Sequence, residues 1–185
     1  MLIIEGVDGV GKTTLAQACC RELHKHGYPY LYNHFSKLPD SFDKVWDYEP
    51  WIRRKVVQDR FHLSREVYGH VFHNQPMFTT LEMELIEGML SQVGAYVVVC
   101  YACDNSWLEQ QIKSNAPDQM YDVSGILEAN DHYRKIAQAQ HHHFDQSIVV
   151  DVDDWPSTFA EVVVRRYLNK QEELDGILRR RPLRS

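Results

Sequence analysis

No stretch of this 185-residue chain approaches the roughly 20 consecutive apolar residues of a membrane span, so a transmembrane role is not expected. There is no positive excess either: 20 Lys and Arg face 26 Asp and Glu, for a formal net charge of −6. That argues against a broad electrostatic grip on DNA or RNA and leaves room only for a local basic groove. Cysteine is scarce, with Cys19 and Cys20 adjacent, Cys100 and Cys103 close together, and no second Cys or His pair at zinc-finger spacing. Reduced, structural thiols are expected. Internal repeats and long linkers are missing as well, which points to one domain over residues 1–185 with a basic tail from about residue 170. An apolar strand pattern follows Met1 almost at once and leaves no room for a cleavable leader. The expected location is the cytoplasm.

What is present begins at Gly6. Residues Gly6 to Thr13 read G-V-D-G-V-G-K-T, a full G-x-x-x-x-G-K-[ST] phosphate-binding loop, between the apolar run Leu2-Ile3-Ile4 and a helical pattern from Thr14. A strand that delivers the chain to a glycine-rich turn at a helix N-terminus makes a concave site of backbone N–H groups for the phosphates of a nucleoside triphosphate. Gly6, Gly9, Val10, Gly11, Lys12, Thr13 and Thr14 are therefore the expected ATP-binding residues. Lys12 supplies a mobile charge for the β and γ phosphates, and the Thr13 hydroxyl is a candidate Mg²⁺ ligand.

Beyond the loop, strands alternate with helices. Strands are expected at Leu2–Ile4, Tyr30–Phe35, Lys55–Asp59, Tyr96–Tyr101 and Ile148–Val152. The run Tyr96–Tyr101 is apolar enough to be buried on both sheet faces. Helices are expected from Thr14 to about His26, with Leu15, Ala18, Cys19 and Leu23 inward, and over His62–Val71. Others follow over Thr80–Val93 (Leu81, Leu85, Met89 and Leu90 at helical spacing), Ser106–Lys113, Ser124–Gln140 and Ser157–Leu168. This order predicts an α/β fold, a P-loop three-layer sandwich around a parallel sheet of about five strands.

A second motif, D-R-F-H-L-S-R-E-V-Y-G, starts with Asp59 and Arg60 at the carboxyl end of the third expected strand, where open α/β sheets bind ligands. An aspartate there can hold Mg²⁺ through water, and an arginine can grip a phosphate in bidentate fashion. Arg60 cannot orient water and suits a second, phosphorylated substrate, which favours a kinase. Together G-V-D-G-V-G-K-T-T and D-R-F-H-L-S-R-E-V-Y-G resemble the thymidylate kinase family of P-loop kinases, whose second motif runs D-R-Y-x-x-S-x-x-A-Y-Q, and most closely its short, divergent bacteriophage members. The likeness is close through about residue 70 and follows element order thereafter. It implies that Asp8 contacts the acceptor sugar's 3′-hydroxyl and Arg60 the acceptor phosphate. Asp59, with Thr13, would organise Mg²⁺, and Tyr68 would pack where a 2′-hydroxyl would clash. Lys12, Asp59 and Arg60 become the catalytic set.

The departures from the family pattern matter too. Gly69 replaces its glutamine, Gly9 stands where one subgroup carries arginine, and the lid region, about Lys113 to Asp122, has no arginine. Lys113, Arg134 and Arg65 are the substitute cations to consider. The short connection between the second and third strands lacks the segment that reads the base in this family, leaving Phe35 and Trp46 as stacking candidates or core residues. His141-His142-His143 reads as a polar helix end, and Asn169-Lys170-Gln171-Glu172 follows a helix and lacks the aspartate of a guanine-reading motif. Asp151–Asp154 falls where this fold borders the adenine.

Two enzyme readings stay open. The first is an ATP- and Mg²⁺-dependent nucleoside monophosphate kinase acting on a deoxynucleotide such as dTMP or a modified thymidylate. The second is a DNA kinase that phosphorylates the hydroxyl of a modified base such as 5-hydroxymethyluracil, with Arg53, Arg54, Lys55 and the arginine tail following the backbone. A non-catalytic ATP-binding module fits less well with an intact Lys12, Thr13 and Asp59. Partners are thus a nucleotide or, in the second reading, DNA, without a membrane; a homodimer stays open.

Overall fold

The computed structural model describes residues 1–35, 45–53, 55–114, 122–139, 144–150 and 155–180. Five strands, β1 (Leu2–Gly6), β2 (Leu31–His34), β3 (Val56–Asp59), β4 (Tyr96–Ala102) and β5 (Gln146–Val150), form one all-parallel sheet in the order β2-β3-β1-β4-β5. The central strands β1 and β4 are buried at every residue, as their apolar runs require when both sheet faces are covered. Among the described residues seven α-helices connect and cover the strands: α1 (Lys12–Lys25), α2 (Val45–Tyr48), α3 (His62–His73), α4 (Thr80–Gln92), α5 (Asn105–Ser114), α6 (Val123–Gln138) and α7 (Trp155–Arg180). The result is the expected α/β three-layer sandwich. α1 packs along α7, while α3 packs on α6 and α6 on α5 and β4. Among the described residues no helix is long and apolar enough to cross a membrane.

Register places the chemistry. Ile4 of β1 lies opposite Asp59 of β3, Gly6 opposite Cys100 of β4, and His34 of β2 opposite Asp59. The carboxyl ends of β1, β2 and β3 therefore bring the phosphate loop, the Asp59-Arg60 motif and His34 to one edge.

Leu15, Ala18, Cys19 and Leu23 of α1 are all buried, as their spacing predicts, and the four cysteines are unpaired. Three expectations need correction. On α4 the inward residues are Ile86 and Leu90, whereas Leu81 and Leu85 are exposed; the helix starts at a reciprocal Thr79–Glu82 capping box. β5 begins two residues earlier than expected, because Gln146 pairs with Val98 and its alternating burial, rather than the apolar run, defines the strand. α7 continues to Arg180 instead of ending near Leu168. Lys170 Nζ donates to the Ala95 carbonyl at 2.7 Å and Gln171 Nε2 to that of Gly94 at 2.6 Å, which ties the extra turns to the amino edge of β4. Asn169–Glu172 is thus helical, at the edge opposite the phosphate loop. Residues 36–44, 54, 115–121, 140–143, 151–154 and 181–185 lie outside the described residues. With them go the expectations for Arg54, most of the lid region, the His141–His143 run, Asp151–Asp154 and the end of the arginine tail.

Candidate functional site

The phosphate loop leaves β1 at Gly6, where a Cβ would stand 2.1 Å from the Cys100 carbonyl oxygen, so only glycine allows the loop to cross β4 this closely. At Gly9 the backbone has φ 82°, and a Cβ would meet Ile112 of α5 at 3.1 Å. An arginine at this position would be strained and crowded, which accounts for its absence. Val10 is buried, and its carbonyl accepts the indole N–H of Trp155 at 3.2 Å, so the start of α7 braces the loop from behind. Gly11 is the N-cap of α1, and Thr13 and Thr14 stand exposed in its first turn.

Lys12 is buried and folds back over the loop, with Nζ 2.6 Å from the Val7 carbonyl and 3.4 Å from Asp8 Oδ1. Burial, and then Arg60, lower its pKa, while Asp8 and Asp59 oppose them. For Asp8, burial alone would raise the pKa, but Lys12 and Arg60 hold it below the ordinary carboxylate value. Burial opposes the charge on Arg60, and Asp8 together with Tyr68, Tyr133 and Asp59 more than restores it.

Arg60 is where the second motif becomes a site. Its backbone is left-handed, φ 66°, a costly state for a residue with a side chain and one that functional sites retain. Its Nη2 donates to Asp8 Oδ1, and its guanidinium lies 5.7 Å from the ring centre of Tyr68. The Tyr68 hydroxyl accepts the Asp8 N–H at 3.0 Å. Burial, then Asp8, push the Tyr68 hydroxyl well above its ordinary pKa, so it stays a neutral phenol. Arg60 Nε is buried with no hydrogen-bond partner among the described residues, a donor suited to an incoming anion. Asp8, Arg60 and Tyr68 are thus brought together as the sequence motifs imply.

Asp59 is fully buried, and its Oδ2 is shared by the Thr13 hydroxyl (2.6 Å), His34 Nδ1 (2.7 Å) and the Tyr32 hydroxyl (3.1 Å). Burial and then Asp59 raise the Tyr32 pKa to about 12. Asp59 Oδ1 has no hydrogen-bond partner among the described residues. A fully buried carboxylate oxygen in that state, next to a loop threonine hydroxyl, fits a hydrated Mg²⁺ arriving with nucleotide phosphates. Among the described residues no group of three His, Cys, Asp or Glu is placed to hold a metal ion. Sequence reasoning missed His34 and Tyr32. Their signal is the alternation of β2, which places both on the side chain face that reaches Asp59.

Phe35 is half-buried and packs edge-on against Trp51 (5.1 Å between ring centres) and stacked against Phe61 (6.0 Å), beside the site at the end of β2. Trp46 is exposed on α2. At Gly69 a Cβ would fall 2.1 Å from Met77 Cγ, so Met77 fills the space a glutamine side chain would need. Of the substitute cations, Lys113 pairs with Glu109 at 2.6 Å and Arg134 donates to the Ala102 and Cys103 carbonyls. Arg65 is half-buried on α3. Arg53 donates to the Pro50 carbonyl.

No family model matches this sequence, and no curated protein does. Among solved structures the chain is similar to the YorR protein of Bacillus subtilis, described in complex with phosphorylated GDP. The two are 21% identical with a TM-score of 0.67 over 94% of this chain and 97% of that one. At this identity the likeness establishes a shared α/β fold over almost the whole length of both.

Proposed function

We propose that this chain is an ATP-dependent nucleoside monophosphate kinase that passes the γ-phosphoryl group in line to the phosphate of a deoxynucleotide such as dTMP or a modified thymidylate. The observation that carries the reading is the placement of Arg60: half-buried, left-handed, and turned toward Asp8 and Tyr68 beside the phosphate loop. An arginine held there serves a second phosphorylated substrate, because it carries a fixed fork of donors and cannot act on water. The bound phosphorylated nucleotide of YorR, on a similar fold, supports a nucleotide site here.

No protein nucleophile is needed. Lys12 is free to swing from the Val7 carbonyl to the transferring phosphoryl, the loop amides orient the donor, Arg60 draws in the acceptor, and Asp8 sets the spacing between the two cations. Thr13 and Asp59 would hold Mg²⁺, which neutralises charge on the β and γ phosphates.

One observation favours the second reading, phosphorylation of a base hydroxyl in DNA. A hydroxyl must lose a proton, and His34 sits 2.7 Å from Asp59 at the same edge, a pairing suited to proton removal. The two readings separate in one experiment. A coupled ATPase assay across deoxynucleoside monophosphates and hydroxymethyl-containing DNA is run beside a salt titration of binding to each. The first reading expects mononucleotide turnover with modest salt dependence. DNA binding that falls by orders of magnitude between about 50 and 200 mM salt, with no mononucleotide phosphorylation, would promote the second.

A further inference from the structure

We infer that Glu5 is a positioning residue for the acceptor-side arginine: from β1 it caps the start of α3 and holds the left-handed turn at Arg60 in register with the phosphate loop. The inference rests on the acceptor role proposed for Arg60.

Glu5 is fully buried, one residue before the loop begins at Gly6. α3 has Phe61 at its N-cap and no side chain cap of its own, so its first N–H groups need acceptors from elsewhere. Glu5 supplies them. Oε1 accepts the N–H of Phe61 (3.0 Å) and of Leu63 (3.1 Å). Oε2 accepts the N–H of Ser64 (3.2 Å) and also its hydroxyl. The helix dipole favours the ionised form of Glu5 here, and burial opposes it. Ser64 in turn accepts the Tyr133 hydroxyl at 3.0 Å, which carries the network to α6.

The turn thus capped is the one that aims Arg60. A left-handed non-glycine residue persists only where its surroundings over-determine it, and here they do. The Arg60 N–H donates to the Ile4 carbonyl at 2.9 Å, and the Arg60 carbonyl accepts Gln58 Nε2 at 2.9 Å. Gln58 is held in turn by Asn33 at 2.8 Å. The next N–H, that of Phe61, goes to Glu5. A single strand, β1, therefore delivers the donor loop through Gly6 and fixes the acceptor arginine through Ile4 and Glu5. Glu5→Gln discriminates sharply, because each oxygen takes two donors. In the Oε1 place the amide nitrogen leaves the Phe61 and Leu63 N–H groups without an acceptor; in the Oε2 place it leaves the Ser64 N–H without one, while the Ser64 hydroxyl can turn to accept from it.

The test uses the full chain, with ATP affinity measured by titration, acceptor KM by coupled assay, and amide hydrogen exchange read at Phe61, Leu63 and Ser64. Glu5→Gln is expected to speed exchange at these amides and raise acceptor KM by about 10-fold or more, while ATP affinity stays within about 2-fold. Ser64→Ala, which removes one donor and leaves the helix amides, is expected to raise acceptor KM by about 2- to 3-fold. If Glu5→Gln does not fold, Ser64→Ala decides by the same split between acceptor and ATP. Unchanged acceptor KM in a folded Glu5→Gln, or equal losses for ATP and acceptor, overturns the inference. Arg60→Ala keeps the two failures apart. If it cripples acceptor binding while Glu5→Gln is silent, only this inference falls; if it is itself silent, the acceptor reading falls first.

Discussion

Asp8 and Arg60 meet across the mouth of the phosphate loop, and the Asp8 oxygen that accepts Arg60 Nη2 is the one that faces Lys12 Nζ at 3.4 Å. One carboxylate oxygen thus stands between two cations that would otherwise repel. With its pKa held low by Lys12 and Arg60, against the effect of burial, Asp8 is charged at neutral pH and leaves the pair with one net positive charge to meet phosphate.

Removing either partner should therefore act on the acceptor. Arg60→Ala leaves Asp8 without its cation and the acceptor phosphate without its fork. A loss of about 2 kcal/mol or more in acceptor binding, roughly 30-fold in KM, is expected. Asp8→Asn should raise acceptor KM less while bringing Lys12 and Arg60 into direct conflict. Steady-state kinetics with ATP saturating and the acceptor varied provides the measurement, and an unchanged acceptor KM in Arg60→Ala rules out the two-substrate reading.

Lys12→Ala should abolish phosphoryl transfer without unfolding the protein. Among the described residues the Lys12 ammonium is held by loop atoms, the Val7 carbonyl and Asp8, and burial already disfavours its charge, so its removal relieves one cost while leaving one carbonyl unpaired. Loss of a charge-assisted contact made in the transition state should cost about 3 kcal/mol or more in turnover. The thermal midpoint, read by circular dichroism, should move by only a few degrees (about 1 kcal/mol of stability). Near wild-type turnover would remove the phosphate-loop assignment.

Much of this was legible in the sequence because the strongest signals are local. The loop glycines, Lys12 and Thr13 occupy fixed offsets, and Asp59-Arg60 follows an apolar strand pattern, so both half-sites are read without tertiary information. The parallel sheet follows from alternation alone. His34 and Tyr32 were not legible. Nothing in L-Y-N-H marks them until the register of β2 against β3 places His34 opposite Asp59. The inner face of α4 was misjudged for a similar reason: leucines at helical spacing define a stripe, but the neighbouring packing chooses Ile86 and Leu90 to face inward. The length of α7 depends on Lys170 and Gln171 finding carbonyls on a strand far away in sequence.

His34 yields a prediction about metal dependence. It contacts Asp59 Oδ2 at 2.7 Å and so orients the carboxylate whose other oxygen has no partner among the described residues. Outer partners of metal-binding carboxylates typically alter metal affinity by about 10- to 100-fold when lost. His34→Ala should raise the Mg²⁺ concentration for half-maximal turnover into that range, and Tyr32→Phe, which removes a longer 3.1 Å contact, should have a smaller effect. Titration of activity against free Mg²⁺ at fixed ATP tests both, and an unshifted His34→Ala curve separates His34 from the metal site.

Glu5 makes stability fall as pH rises toward neutrality. Burial pushes its pKa from the ordinary 4.5 up to about 7, against the pull of the Ser64 hydroxyl, the Leu63 amide, Lys12 and the Phe61 amide. Between those two values the unfolded chain has released a proton that the folded chain retains. Protonation therefore favours folding in this window, and the contribution declines as pH rises, levelling off above about 7. The full span corresponds to about 3 kcal/mol at most. Of the titratable groups facing Glu5, Cys100 and Tyr133 are pushed up by burial, beyond this range, and burial draws Lys12 down while Asp8 and Asp59 oppose it. His62 also faces Glu5, with Nδ1 4.0 Å from Oε1. Glu5→Gln cannot titrate. Urea unfolding of both proteins from pH 5 to 8 should show wild type losing stability relative to the variant by up to about 3 kcal/mol as the pH rises. A gap that does not change with pH would place the titration of Glu5 outside this window.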